Sequence, residues 1–182
     1  MKTFVTSDLH FSHKSIITFC PNTRPFKDID HMNSEMIRQW NEKVSPDDLV
    51  YILGDIAFCN GNKAAEILNS LIGRKVLIKG NHDYDLMKKQ SFIDCFESIH
   101  DILDITYNGI EIVMCHYPIF DHKNASRGSL HLFGHRHGNP TNIPGRIKDV
   151  GFDATGNIVT LLDSVITELS KIEPMHHHWS II

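Results

Sequence analysis

Cysteine is scarce in this chain and never paired at close spacing. Cys20, Cys59, Cys95 and Cys115 are the 4 among 182 residues, and no Cys-x-x-Cys occurs. That excludes a zinc ribbon and a disulfide scaffold, and scattered thiols fit a reducing cytosol. A basic excess is missing too: 18 Lys and Arg stand against 22 Asp and Glu, for a formal net charge of −4. No bulk positive field therefore holds duplex nucleic acid as a polyanion. Apolar runs are short and broken by charge, which excludes a membrane span. Met1-Lys2-Thr3-Phe4-Val5 leads into a strand without the apolar stretch of a signal peptide. There is no internal repeat, low-complexity tract or linker. These absences predict one cytoplasmic domain over residues 1–182. A chain of this size buries roughly two thirds of its unfolded surface, and 41% hydrophobic residues supply the core.

Periodicity divides the chain into two styles. Residues 2–7 read as a buried strand ending at Asp8. Asp30 is placed to cap a helix whose apolar stripe, Met32, Met36, Trp40 and Val44, recurs every fourth residue. Residues 49–53 form a second buried strand. Residues 63–72 form a helix with Ala64, Ala65, Leu68, Leu71 and Ile72 on one face, and residues 76–78 a third strand before Gly80. This alternation predicts an α/β unit with parallel pairing. Further on, strands are expected at 102–106, 111–115, 130–133 and 158–162, with mixed or antiparallel pairing and a closing helix over 164–172. The longest irregular stretch, 117–129, has the length of a functional loop, and Lys123 and Arg127 within it are candidate substrate contacts.

The chemistry lies in short motifs: Asp8-Leu9-His10, Gly54-Asp55, Gly80-Asn81-His82-Asp83, a single His116, and Gly134-His135-Arg136-His137. Asp8, Asp55, Asn81 and His116 each follow an expected strand, at the sheet edge where α/β folds bind ligands. In extended segments Asp8 with His10, and His135 with His137, each aim two side chains into one cleft. Asp55 has two oxygens and can bridge two cations. The set Asp8, His10, Asp55, Asn81, His116, His135 and His137 mixes imidazoles, carboxylates and an amide oxygen. Such donors suit two divalent transition-metal ions, with manganese favoured and iron, zinc, cobalt or nickel also fitting. A pair of this kind activates water near neutral pH and clamps phosphoryl oxygens. With only two carboxylates in the set, a residual positive charge remains to attract an anionic phosphoryl group. His82 adjoins Asn81 and is the candidate proton donor to a leaving-group oxygen or hydrogen-bond donor to a phosphoryl oxygen, with Asp83 orienting its ring.

Taken in this order, the motifs resemble those of the calcineurin-like metallophosphoesterases. The resemblance implies an α/β fold of two facing mixed β-sheets flanked by helices, with metals at the strand ends. It implies that Asp8, His10, Asp55 and His137 hold one metal, that Asp55, Asn81, His116 and His135 hold the other, and that His82 is the catalytic histidine. Asp8-Leu9-His10-Phe11-Ser12-His13 with Ile16-Ile17, Arg24-Pro25-Phe26 and Trp40-Asn41 is similar to a group of small bacterial and phage phosphohydrolases. In that group His13 and Arg24 fall at the substrate cleft. Gly54-Asp55 continues as Ile56-Ala57-Phe58 and lacks the Val-Asp-Arg-Gly of the phosphoprotein phosphatases. His82 stands where the lipid A precursor hydrolases carry arginine.

The implied function is hydrolysis of phosphodiesters, on small or nucleotide-like substrates. A phosphomonoesterase is the alternative, and a non-catalytic protein-binding scaffold on the same fold is the alternative of another class. All seven ligand positions and His82 are present, which argues against the scaffold. No stable partnership with duplex nucleic acid or a membrane is expected. Other polar residues read more plainly. His131 is a packed or hydrogen-bonded strand histidine, Arg136 points away from the metals, and His176-His177-His178 is a tail that binds metal loosely without function.

Overall fold

Strand periodicity of two separates the apolar residues onto two faces, and the chain buries both. The computed structural model describes residues 1–175, and the tail histidines fall outside them. The strands are β1 (Thr3–Thr6), β2 (Leu49–Ile52), β3 (Arg74–Ile78), β4 (Ser98–His100), β5 (Ile102–Tyr107), β6 (Ile110–Cys115), β7 (Leu130–Phe133), β8 (Ile147–Asp149) and β9 (Thr160–Leu161). The helices are α1 (Ile16–Phe19), α2 (Ile29–Lys43), α3 (Gly61–Ser70), α4 (Gln90–Ile93), α5 (Phe152–Thr155) and α6 (Leu162–Leu169). One sheet runs β4-β3-β2-β1-β9, parallel except for the antiparallel β1–β9 pair. The other runs β5-β6-β7-β8, with β5–β6 antiparallel and the remaining pairs parallel. Both sheets are mixed, and helices flank them.

Between the sheets, Val5, Val76 and Ile78 pack with Ile112, Met114, Leu130 and Leu132. On the outer face of the first sheet, Phe4, Val50, Ile52 and Leu77 meet the helical layer. Met32, Met36 and Trp40 are fully buried there, with Val44 beside them. Trp40 also donates its indole N–H to the Ile72 carbonyl at 2.8 Å, which fixes α2 against the chain leaving α3.

Several expected boundaries move. Helix α2 is capped by Asp28, whose side chain accepts from the His31 N–H at 2.8 Å, and Asp30 falls within the first turn. Helix α3 begins earlier than expected because Asn60 caps it, and Ile72 lies past its end, 38% exposed. The expected strand over 158–162 divides: Thr160–Leu161 pairs with β1, and Leu162 opens α6. A short apolar run does not distinguish strand from helix. Strands β4 and β8, at 3 residues each, are too short to show a period.

Candidate metal centre

The strands of both sheets end along one edge, and the turns there take a backbone form that sequence patterning does not reveal. Asp8, His10, Asp55, His135 and His137 all have positive φ, from 49° to 68°. The extended geometry expected for residues 8–10 and 135–137 is thus replaced by alternating left-handed residues, which again turns positions two apart toward one cleft. Such conformations cost on the order of 1–3 kcal/mol each and persist only where the surroundings hold them. Here the segment after β1 is held along the segment after β2: the N–H groups of Asp8, His10 and Phe11 donate to the carbonyls of Gly54, Asp55 and Ile56 at 2.9–3.0 Å. Two glycines allow the close approach. A Cβ on Gly80 would lie 2.3 Å from Asp55 Oδ1, and one on Gly134 would lie 1.9 Å from Ser7 Oγ and 2.5 Å from Asp8 Oδ2.

The result is two adjoining groups of donors. Asp8, His10 and His137 turn ligand atoms to within 4.8 Å of one another, and so do Asp55, His116 and His135. Asp55 Oδ2 stands between the groups, 3.7 Å from His10 Nε2 and 3.6 Å from His116 Nε2. Asn81 Oδ1 lies 3.0 Å from His116 Nε2.

The polar chemistry of this cluster calls for cations. Asp8 Oδ1 and both ring nitrogens of His10 are buried without a hydrogen-bond partner in the protein, a state rare in native interiors. His116 faces the Leu53 carbonyl through Nδ1 at 2.6 Å. Its Nε2 then carries a lone pair and stands 3.0 Å from Asn81 Oδ1, so both are donor atoms available to one cation. Burial pushes the His10 and His135 imidazoles toward the neutral form that ligates metal. Burial also pushes the Asp8 carboxyl up, but the surrounding imidazoles outweigh it and hold the group below its ordinary value. The residues present fit two divalent cations.

Arg24 does not line the cleft. It is fully buried. Its Nη2 donates to the Asp8 carbonyl at 2.6 Å and to Asp153 Oδ2 at 2.9 Å, while Nη1 donates to the Leu9 carbonyl at 2.9 Å. The expected substrate contact is therefore a brace behind the site. Asp153 completes it by accepting from His137 Nδ1 at 2.8 Å, which fixes the ring with Nε2 turned toward Asp8 Oδ1, 3.8 Å away. This hydrogen bond raises the His137 pKa, while His137 and Arg24 hold Asp153 far below the usual carboxylate range despite burial. Asp153 lies in no motif. It arrives because Gly151 bridges to Ser7 at the end of β1 and Phe152 donates to the Ser7 carbonyl at 3.0 Å.

Asp83 also differs from its expected role. Its carboxylate accepts the N–H groups of Asp55, Ile56 and Gly80 at 2.8–3.0 Å, tying together the turns after β2 and β3. It serves the backbone rather than the His82 ring. His82 is positioned instead by its own N–H, which donates to Asp55 Oδ1 at 3.0 Å, and by the Phe58 ring 4.5 Å away. Its side chain is 44% exposed at the cleft mouth, with Nε2 3.9 Å from Asp55 Oδ2. His13 stacks on the opposite part of the same wall, 3.8 Å from Phe58 between centroids, where burial and the nearby His10 and His82 push its pKa down to about 4. Lys123 is paired with Asp104 and Glu111, and Arg127 lies by Gly109 and Ile110, at the far end of β6 from His116. Neither is placed as a substrate contact.

Paired mixed sheets with nitrogen and oxygen donors gathered along their common edge define an α/β protein with a candidate metal centre at its strand ends. The chain belongs to the calcineurin-like phosphoesterases, whose family model matches residues 1–154. It is 35% identical over 140 residues to an uncharacterized protein of Methanocaldococcus jannaschii, covering 76% of this chain and 70% of that one. The gene 66 protein of Mycobacterium phage L5 is 27% identical over 190 residues, covering 87% of this chain and 89% of the phage protein. A protein of unknown function from Aquifex aeolicus has the same fold, with a TM-score of 0.73 at 24% identity over 92% of this chain and 98% of that one.

Proposed function

We propose that this protein is a dinuclear metal-dependent phosphodiesterase acting on small, nucleotide-like substrates in the cytoplasm. The observation that carries the reading is Asp55 Oδ2, a single carboxylate oxygen set 3.6–3.9 Å from the Nε2 atoms of His116, His10 and His82. Asp8, His10, Asp55 and His137 would hold one cation, and Asp55, Asn81, His116 and His135 the other, with manganese the favoured ion. The chemistry such a pair supplies when bound is activation of a water nucleophile near neutral pH and neutralisation of phosphoryl charge.

The chain's own residues provide orientation and the proton. Arg24 and Asp153 fix the Asp8 segment and the His137 ring. Asp83 fixes the turns that carry Asp55 and Asn81. His82 stands at the mouth and donates a proton to the departing oxygen, which an alkoxide leaving group requires. The removal of Arg24 from the cleft favours diesters over monoesters, since a monoester dianion gains most from an added guanidinium. The free cysteines at 20, 59, 95 and 115 fit a reducing compartment. No helix among the described residues is long and apolar enough to cross a membrane.

The test is a phosphoester panel run on protein lacking the tail histidines, with aryl diesters, 2′,3′-cyclic nucleotides, dinucleotides and monoesters, each with Mn, Fe, Co, Ni, Zn and Mg. Asp55→Asn is expected to abolish hydrolysis and reduce bound metal to one ion or none, measured by elemental analysis; near-normal turnover would overturn the bridging role. His82→Ala is expected to keep both ions and lose about 10²–10⁴-fold in turnover, most with poor leaving groups. Loss of metal with intact chemistry would sink the proton-donor role.

A further inference from the structure

Beside His82 the surface opens into a recess of about 450 Å³, within the size range of small-molecule sites. Its walls include Phe58, Leu86, Ala57 and Tyr84, with Asn81 and His82 at the end toward the metal centre. Tyr84 is 58% exposed, and Lys79 Nζ stands 6.0 Å from its ring centroid. An aromatic ring left this open at the rim of a cleft contributes little to the core and offers a π-face to a ligand. Among the described residues lining the recess there is no lysine or arginine, and the one carboxylate, Asp85, is paired with Lys88 at 2.6 Å. The lining itself offers a second phosphate no cation, and the two lysines beside it are already paired, Lys79 with Asp101 at 2.6 Å and Lys88 with Asp85. A neutral planar group would find apolar walls and an aromatic face.

Direction decides what that group is. His82 forms one wall, and in the proposed reaction it protonates the departing oxygen. Whatever that oxygen carries then lies on the His82 side of the phosphorus, beside this recess. We infer that the recess is a leaving-group pocket for the planar base of a nucleoside, with Tyr84 as the stacking face and Phe58 and Leu86 as its apolar walls. The inference rests on the hydrolase reading and adds the substrate's departing half to it.

Two measurements separate the pocket from the chemistry. The first is binding of 2-aminopurine riboside, which carries no phosphate, to metal-free protein, followed by fluorescence quenching. Saturable binding is expected, weakened at least about 10-fold in Tyr84→Ala and retained in Tyr84→Phe, because base stacking depends on the ring rather than on the hydroxyl. The second compares adenosine 2′,3′-cyclic phosphate with the 2′,3′-cyclic phosphate of 1-O-methylribose, which shares the leaving oxygens and lacks the base. The metal-loaded protein is expected to prefer the nucleoside at least about 10-fold in kcat/KM. Tyr84→Ala should bring the two substrates to near parity, and Tyr84→Phe should keep the preference. Absence of saturable riboside binding, or a preference that survives Tyr84→Ala, overturns the pocket. Riboside binding without turnover of any phosphoester would uphold the pocket and sink the hydrolase reading. Equal turnover of both cyclic phosphates by the unaltered protein would do the reverse.

Discussion

At Arg24 a planar cation is matched on several sides. Asp153 takes Nε and Nη2, the Asp8 and Leu9 carbonyls take Nη2 and Nη1, and the Phe152 ring lies 4.8 Å from the guanidinium carbon. Only the guanidinium fork reaches this set, so lysine would not replace it. The brace fixes the Asp8 backbone and, through Asp153, the orientation of His137. A carboxylate behind a metal-ligating histidine sets its tautomer and raises its basicity, and losing one typically costs 10–100-fold in metal affinity. Asp153→Asn is expected to weaken metal binding by about that factor. It should also lower stability by about 3 kcal/mol, because Arg24 keeps its buried charge and loses its anionic partner. Titration calorimetry with Mn²⁺ and urea denaturation measure the two effects. A destabilised variant with unchanged metal affinity would reduce Asp153 to a packing role.

Helix α2 shows how an element can be legible in its middle and misread at its end. Its stripe of Met32, Met36 and Trp40 is fully buried, as the fourfold spacing requires, but the cap is Asp28 instead of Asp30. Both residues precede the apolar run and both are acceptors; only the backbone entering the helix selects between them. Asp28→Ala is expected to cost about 1 kcal/mol by loss of the cap. Asp30→Ala should cost no more than a few tenths, which is the value of an exposed charge near the helix N-terminus. Urea midpoints of the two variants decide the assignment, and equal losses would contradict it. The same contrast runs through the molecule. The buried stripe of α3 was legible because burial of one face imposes a period on the sequence, and β1 and β2 were legible as short apolar runs bounded by turn residues. So were the metal-type donors, because their chemistry narrows the residue types. The left-handed turns at Asp8, His10, His135 and His137 left no trace, since none of these positions is glycine. Arg24 was legible as important and misplaced in space, because the sequence does not say whether a guanidinium faces a cleft or the interior. Asp153 was invisible, since its meeting with His137 depends on the bridge between Ser7 and Gly151.

Across the whole molecule, stability depends on pH through histidines that bind no metal in this reading. His131 is fully buried in β7 and joins two parts of the second sheet's surroundings. Its Nδ1 meets the Val113 carbonyl of β6 at 3.0 Å, and its Nε2 accepts the Ile119 N–H at 2.9 Å, which ties the loop over 117–129 to the sheet. That pattern needs a neutral ring with the proton on Nδ1. Burial pushes the His131 pKa from 6.5 down to about 4; the Val113 carbonyl opposes it as the next-largest cause, and the neighbouring His122 adds a smaller push downward. The sign follows from proton counting. Between those two values the unfolded chain binds a proton that the folded chain refuses, so stability is full above 6.5 and falls as pH drops toward 4. By pH 5 the loss from this one residue is roughly 2 kcal/mol. His131→Gln removes the titration. Urea denaturation of metal-free protein at pH 7.5 and pH 5 is expected to show the unaltered chain's advantage over the variant shrinking by about that amount. Working without metal keeps proton competition at the ligands out of the comparison. An advantage that stays constant across the two pH values would mean that His131 is protonated in the fold, and the hydrogen-bond pattern assigned to it would be wrong.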